Sequence, residues 1–223
     1  MKEKGELYFE DPLLKLSVAN RLWAKSIKGI LHTVAFVAGG LMVFSDVTAI
    51  VFVGWAFLGY TVFRIGKNKR WWIKDTTFRG GNLYFFIEPE AREAIESAGD
   101  RAAIMGGSFL LNLMRELVDL SEVEEVLRGL GIKRDEFAGH IDKYIQEEKR
   151  LRETKAWRAA RAEEVVVKAF TTQGAYKRPV RPKDLFRALR SLDNERVQRI
   201  FNLFGITPEG IDGNNRYNLE NAR

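Results

Sequence analysis

The sequence predicts an all-α protein, with a two-helix transmembrane hairpin near the N-terminus followed by a two-repeat helical domain. Three observations predict it. Residues 29–63 are almost wholly apolar or small and are bracketed by basic residues. After Glu88 apolar residues recur every three to four positions, the spacing of an amphipathic helix. One helical pattern then occurs twice, offset by 75 residues where it starts and by 74 where it ends.

The hairpin consists of Gly29–Phe44 and Val47–Phe63, separated only by Ser45 and Asp46. Each run is near the lower limit of roughly 17–25 residues for a spanning helix. Neither has a polar face, which favours a membrane hairpin over the alternative, a helical hairpin buried in a soluble core. Lys28 and Arg64 flank the pair, and Lys67, Lys69 and Arg70 follow, with Trp71 and Trp72 beside them at the expected level of an aromatic belt. These seven residues form the expected membrane interface. The positive flanks place both termini and the soluble domain in the cytoplasm, and the chain in the membrane as an integral protein. Ala35 and Gly39, four apart, allow close helix approach. Residues 11–28 read either as an interfacial amphipathic helix or as a soluble packing helix, and His32 as a residue near a helix end.

Charge divides at the same place. The formal net charge of +6 belongs entirely to residues 1–87, because the bases and acids beyond them cancel. Basic residues that bracket apolar segments match anionic lipid better than nucleic acid, so the expected partner is a lipid bilayer and no nucleic acid. The chain has no cysteine, which excludes disulfides and thiolate chemistry.

The divisions are 1–28, an amphipathic N-terminal segment; 29–63, the hairpin; 64–87, a basic and aromatic linker; and 88–223, the helical domain. In the linker, Arg79-Gly-Gly-Asn82 between aromatic and β-branched residues is a turn signal that admits a short β-hairpin. In the domain, Pro89 suits the first turn of a helix to about Met105. Ser108 caps a helix from Phe109 to about Val118, and Ser121 with Glu124 forms a capping box for a helix ending at Gly131. A further helix starts at Asp135 and runs into the charged stretch 146–153, which reads as a solvated helix face or a linker helix. Helices follow over Trp157–Thr171, Pro182–Ser191 and Asp193–Leu203, and no clear final helix follows Thr207.

The repeat aligns Leu110–Met114 with Leu185–Leu189, and Val123–Ile132 with Val197–Ile206. Each copy ends in an apolar-Gly-Ile step. These two copies resemble the double repeat of the Clp ATPase N-terminal domain over roughly residues 88–211. The resemblance implies a protein-binding helical domain, with protein substrates or adaptors as partners and Clp protease components among them. The family commonly opens its second helix with Gly-Thr-Glu-His. This chain has Gly107-Ser108-Phe109 and Arg181-Pro182-Lys183-Asp184 there, which puts ligand binding through that polar cluster in doubt.

No phosphate-binding Gly-x-x-x-x-Gly-Lys-Ser/Thr loop is present, and His32 and His140 lie in different regions. No carboxylate sits in an apolar motif that would raise its pKa. No enzyme activity and no cofactor are expected. The leading expectation is a membrane-anchored module that recognises protein substrates or adaptors. The alternatives are the front of a longer Clp-type ATPase, for which the polar tail after Ile211 suits an interdomain cut, and a structural scaffold whose helices pack against membrane partners. A seam between the repeats is the expected binding groove, lined by Phe109, Leu110 and Leu113 of one copy and Leu185, Phe186 and Leu189 of the other. Most of these are expected in the core, with one of the two phenylalanines facing outward.

Overall fold

A computed structural model describes residues 7–12, 14, 18–70, 81–173 and 178–213. The chain is mostly helical and falls into two compact units: residues 16–76, and residues 1–15 together with 77–223.

The smaller unit is a helical hairpin of α1 (Val18–Val43) and α2 (Thr48–Arg70). The part of the expected amphipathic segment from Val18 onward and the first apolar run are one helix, α1. The Val47 N–H donates to the Ser45 hydroxyl across the tight turn. The helices meet at glycine: a Cβ on Gly54 would lie 2.9 Å from the Gly39 carbonyl oxygen and from the Met42 Cβ. The small-residue signal at Gly39 thus marks the crossing, with Gly54 as its partner. Thr61, buried, donates to the Phe57 carbonyl at 2.8 Å.

Among the described residues no helix is long and apolar enough to cross a membrane. This overturns the expected transmembrane hairpin and the integral membrane placement. The physical reason is length: runs of sixteen and seventeen residues at 1.5 Å each span about 24–26 Å, short of a hydrocarbon core of about 30 Å. The rest of each helix carries charged and polar residues among its apolar ones: Asn20, Arg21, Lys25, Ser26 and Lys28 in α1, and Arg64, Lys67, Asn68, Lys69 and Arg70 in α2. Lys28 lies within α1; Arg64, Lys67, Lys69 and Arg70 lie in the last turns of α2; Trp71 and Trp72 fall outside the described residues. The membrane-interface role expected of these seven residues rested on the spanning hairpin. The hairpin does leave large apolar side chains exposed, among them Leu41, Phe44, Phe52 and Trp55.

The larger unit holds two copies of a long-short-short helix pattern. The first is α3 (Pro89–Ile104), α4 (Phe109–Val118) and α5 (Ser121–Gly129), followed by α6 (Arg134–Glu147). The second is α7 (Lys155–Thr171), α8 (Pro182–Arg190) and α9 (Glu195–Leu203), followed by a short helical stretch over 208–213 that the sequence reading did not anticipate. Its Ile211 is fully buried. The Gly-Ile steps have one structural cause. Gly131 and Gly205 both adopt positive φ (73° and 63°). In each copy the Ile N–H then reaches back to the helix, Ile132 to the Leu127 carbonyl and Ile206 to the Phe201 carbonyl, both at 2.9 Å. That is the Schellman stop, which satisfies carbonyls the helix end would leave unpaired and requires a left-handed residue. Ser108 caps α4 as expected, accepting the Leu111 N–H. For α5 the cap is Leu120, without a side-chain bond, and Ser121 is already helical.

The repeats join through an aromatic cluster. Phe137 of α6 packs edge-on against Phe186 of α8 and Phe204, and Phe186 packs against Phe201 of α9. His140 lies edge-to-face on Phe204, a packing role.

This unit also holds the N-terminal residues. β1 (Leu7–Tyr8) pairs in parallel with β2 (Gly81–Asn82), Leu7 opposite Gly81 and Tyr8 opposite Asn82. The described part of the linker pairs with the chain start and continues as a 3₁₀ turn over Leu83–Phe86, while the first half of the stretch that admitted a short β-hairpin lies outside the described residues.

Candidate functional site

The six residues expected to line a groove between the repeats are all buried: Phe109, Leu110, Leu113, Leu185, Phe186 and Leu189 are each at most 2 % exposed. Neither Phe109 nor Phe186 faces outward, and the proposed groove is corrected to core. The cause is that α4 and α8 are central helices, enclosed by α3, α6 and α7 as well as by each other, so apolar residues on every side of them find neighbours. The Phe137–Phe186–Phe201 cluster fills the seam.

The helix starts at this seam are sealed by carboxylates of the same chain. At α4, Ser108 N–H donates to Glu148 at 3.0 Å and Phe109 N–H to Glu153 at 2.8 Å. Both acids come from the stretch after α6 that sequence reasoning assigned to a solvated face. Helix N-termini attract negative charge, and these two acids fill that place. Glu148 also pairs with Arg196 of α9 at 3.0 Å, tying the two copies together. Burial pushes the Glu153 carboxyl up from its ordinary value, against the lowering effect of the Phe109 N–H. At α8, Asp184 is nearly buried; it takes both Arg178 guanidinium nitrogens at 2.7 and 2.8 Å and the Arg181 N–H at 3.0 Å. Glu88 faces Arg181 at 3.1 Å, and its carboxyl is likewise raised, chiefly by burial. The expectation that no carboxylate is raised is therefore corrected at Glu88 and Glu153. Among the described residues no group of His, Asp and Glu is arranged to hold a metal.

A different site appears where residues 7–12 and 14 lie on the domain. This N-terminal strap runs antiparallel along α7. Leu7 borders a recess with Val167 and Thr171, while Phe9, Glu10, Asp11 and Leu14 border the next with Ala156, Ala159 and Ala160. Those alanines fall at three- and four-residue spacing on one helix face and leave room for a chain to pass. Asn82 grips the strap by its backbone alone: its Oδ1 accepts the Glu10 N–H and its Nδ2 donates to the Glu10 carbonyl, both at 3.0 Å. The same Oδ1 accepts the Tyr84 N–H and caps the 3₁₀ turn, which fixes the amide in place. Phe9 and Leu14 are buried in the domain core, at 4 % and 6 %. Asp11 is buried between them, near Tyr84, whose ring lies under the Arg92 guanidinium at 5.1 Å. Burial, and to a smaller degree the Asp11 charge, raise the Tyr84 hydroxyl pKa, while Arg92 lowers it.

Sequence reasoning missed this site because it assigned Asp11 and Leu14 to an amphipathic helix. No local signal in the sequence marked it, because a proline at the second position of residues 11–28 is compatible with a helix start. No family model, curated protein or solved structure matches the chain.

Proposed function

We propose that the larger unit is a non-enzymatic protein-recognition module that holds extended chain segments against α7 and β2, related in its repeat pattern to the substrate- and adaptor-binding N-terminal domains of Clp machines. The observation that carries this reading is the seated strap. Asn82 pairs with both backbone groups of Glu10, while Phe9 and Leu14 fill apolar sites. Backbone hydrogen bonds with spaced side-chain anchors are how β-edge recognition combines affinity with selectivity. The test uses the full chain with Phe9→Ser and Leu14→Ser, which loosens the strap. Titrated with a peptide of the sequence of residues 5–16, this variant should bind with saturation, and a scrambled peptide should not. Equal, weak response to both peptides would refute the reading.

The exposed apolar side chains of α1 and α2 favour a second reading, a structural scaffold whose hairpin packs against partner helices. Under it, Leu41→Glu with Phe52→Glu should abolish self- or partner association in sedimentation, with the larger unit's melting unchanged. Unaltered association would exclude the hairpin as the contact.

A further inference from the structure

We propose that the surface where the end of α3 meets the loop over residues 148–154 and the first turns of α7 docks an acidic segment of a partner protein that carries apolar anchors. This surface is distinct from the side of α7 that the strap covers: Trp157 and Arg161 each lie one residue, about 100° of helix turn, beyond Ala156 and Ala160.

Three elements meet there. Gly106, directly after Met105, packs against the Lys149 carbonyl and the Arg152 guanidinium so closely that a Cβ would not fit. The Ser108 and Phe109 N–H groups hold Glu148 and Glu153, which keeps the loop on the start of α4. Thr154 then caps α7 by accepting the Trp157 N–H. Apolar side chains remain uncovered at this meeting point. Of the six large hydrophobics of the larger unit that are exposed among the described residues, four are Ile104, Met105, Leu151 and Trp157. Single scattered apolar residues are ordinary on a surface, but four drawn from three neighbouring elements call for a cover.

Charge selects the partner. Residues 149–161 carry six bases, Lys149, Arg150, Arg152, Lys155, Arg158 and Arg161, and a single acid, Glu153, which is turned to the Phe109 N–H. Bases and acids balance over residues 88–223 as a whole, so this excess is local. Arg158 donates to the Glu153 carbonyl, Arg161 pairs with Glu164 at 2.6 Å, and Arg152 commits one nitrogen to the Lys149 carbonyl. Lys149, Arg150, Arg152 and Lys155 are the exposed four that meet an incoming chain. Complementary charge steers and registers such a contact, while apolar anchors hold it. A nucleic acid would need open aromatic faces on which its bases stack. Here three of the four apolar groups are aliphatic, and the Arg161 guanidinium covers one face of the Trp157 ring at 4.8 Å. The chemistry therefore favours a protein segment of acidic and apolar residues.

The test titrates the full chain with a fluorescently labelled peptide of four Glu-Asp-Leu repeats. Gln-Asn-Leu and Glu-Asp-Ser repeats and an oligothymidine of the same length serve as controls. The first peptide should bind with saturation, and each control at least about 10-fold more weakly. Arg150→Glu with Lys155→Glu, and separately Met105→Ser with Leu151→Ser, should each weaken the first peptide's binding about 10-fold with the melting temperature unchanged. Raising salt from about 0.1 to 1 M, which shortens the screening length from about 10 to 3 Å, should weaken it as well. No saturable binding, equal affinity for the charge-reversed chain, or tighter binding of the oligothymidine would each overturn the proposal. Self-association of wild type that is lost in the charge-reversed chain would assign the surface to a second copy and overturn it too. Should a variant fail to fold, hydrogen exchange on wild type decides. Bound peptide should slow exchange over residues 149–157, and protection confined to other parts of the chain would contradict the assignment.

Discussion

The Glu153 carboxylate accepts the Phe109 N–H at 2.8 Å, so the first turn of α4 is completed by an acid from the loop that begins the second repeat. Burial raises the Glu153 pKa above 4.5, its ordinary value. The folded state thus holds the proton more tightly than the unfolded state. Its stabilising effect is fully present below the unfolded pKa and is lost as pH rises through the folded pKa. Glu153→Gln should therefore flatten the dependence of unfolding free energy on pH between about 4.5 and neutrality relative to wild type. Chemical denaturation at several pH values measures this, and identical slopes would contradict it.

Phe137 and Phe186 sit at the aromatic junction of the repeats, both fully buried. Either one replaced by Ala should cost about 3–5 kcal/mol, from lost burial and the cavity left behind. Phe85, 78 % exposed, replaced by Ala should change stability by less than about 0.5 kcal/mol. Thermal unfolding distinguishes the pair, and equal shifts would show that the junction is not packed as described.

Asp184 receives both nitrogens of the Arg178 guanidinium and a backbone N–H while almost fully buried. Asp184→Ala leaves those donors unpaired and should cost about 2–3 kcal/mol. Asp184→Asn, which keeps an acceptor, should cost less. A larger loss for Asn than for Ala would refute this account of the α8 start.

Gly54 and Gly59 lie on the same helix but differ in surroundings. A Cβ at Gly54 meets Gly39 and Met42 at 2.9 Å, while a Cβ at Gly59 meets nothing within 4 Å. Gly54→Ala should destabilise the hairpin by about 1–3 kcal/mol through overpacking. Gly59→Ala should stabilise it by about 0.5–1 kcal/mol through backbone entropy. Residue-level hydrogen exchange along α1 and α2 reads both, and the same sign for the two would contradict the crossing point.

The helical repeats were legible because their signals are local. Pro89, Ser108 and the two Gly-Ile steps each specify a start or stop within a few residues, and the structure uses all four. That Phe109 and Phe186 are both buried was not legible, since periodicity marks one apolar face and α4 and α8 bury residues beyond it. The strap was invisible for another reason. A parallel pairing of two residues, Leu7 with Gly81 and Tyr8 with Asn82, joins positions 74 apart and leaves no period in the sequence. Glu148 and Glu153 looked like solvent charge because nothing in a charged run reveals which acids fold back onto a distant helix start. The apolar runs of the hairpin were visible, but their content of apolar residues did not amount to the length a bilayer requires.

The central claim is that the groove beside α7 recognises an extended segment through Asn82 and two apolar anchors. A crystal structure of the Phe9→Ser, Leu14→Ser chain with the peptide of residues 5–16 tests it most directly. The account predicts the peptide paired in parallel with Gly81–Asn82, one of its residues bonded through both backbone groups to the Asn82 amide, and its Phe and Leu in the places Phe9 and Leu14 hold here. A peptide bound elsewhere on the domain, or a groove still filled by the substituted strap, would contradict it.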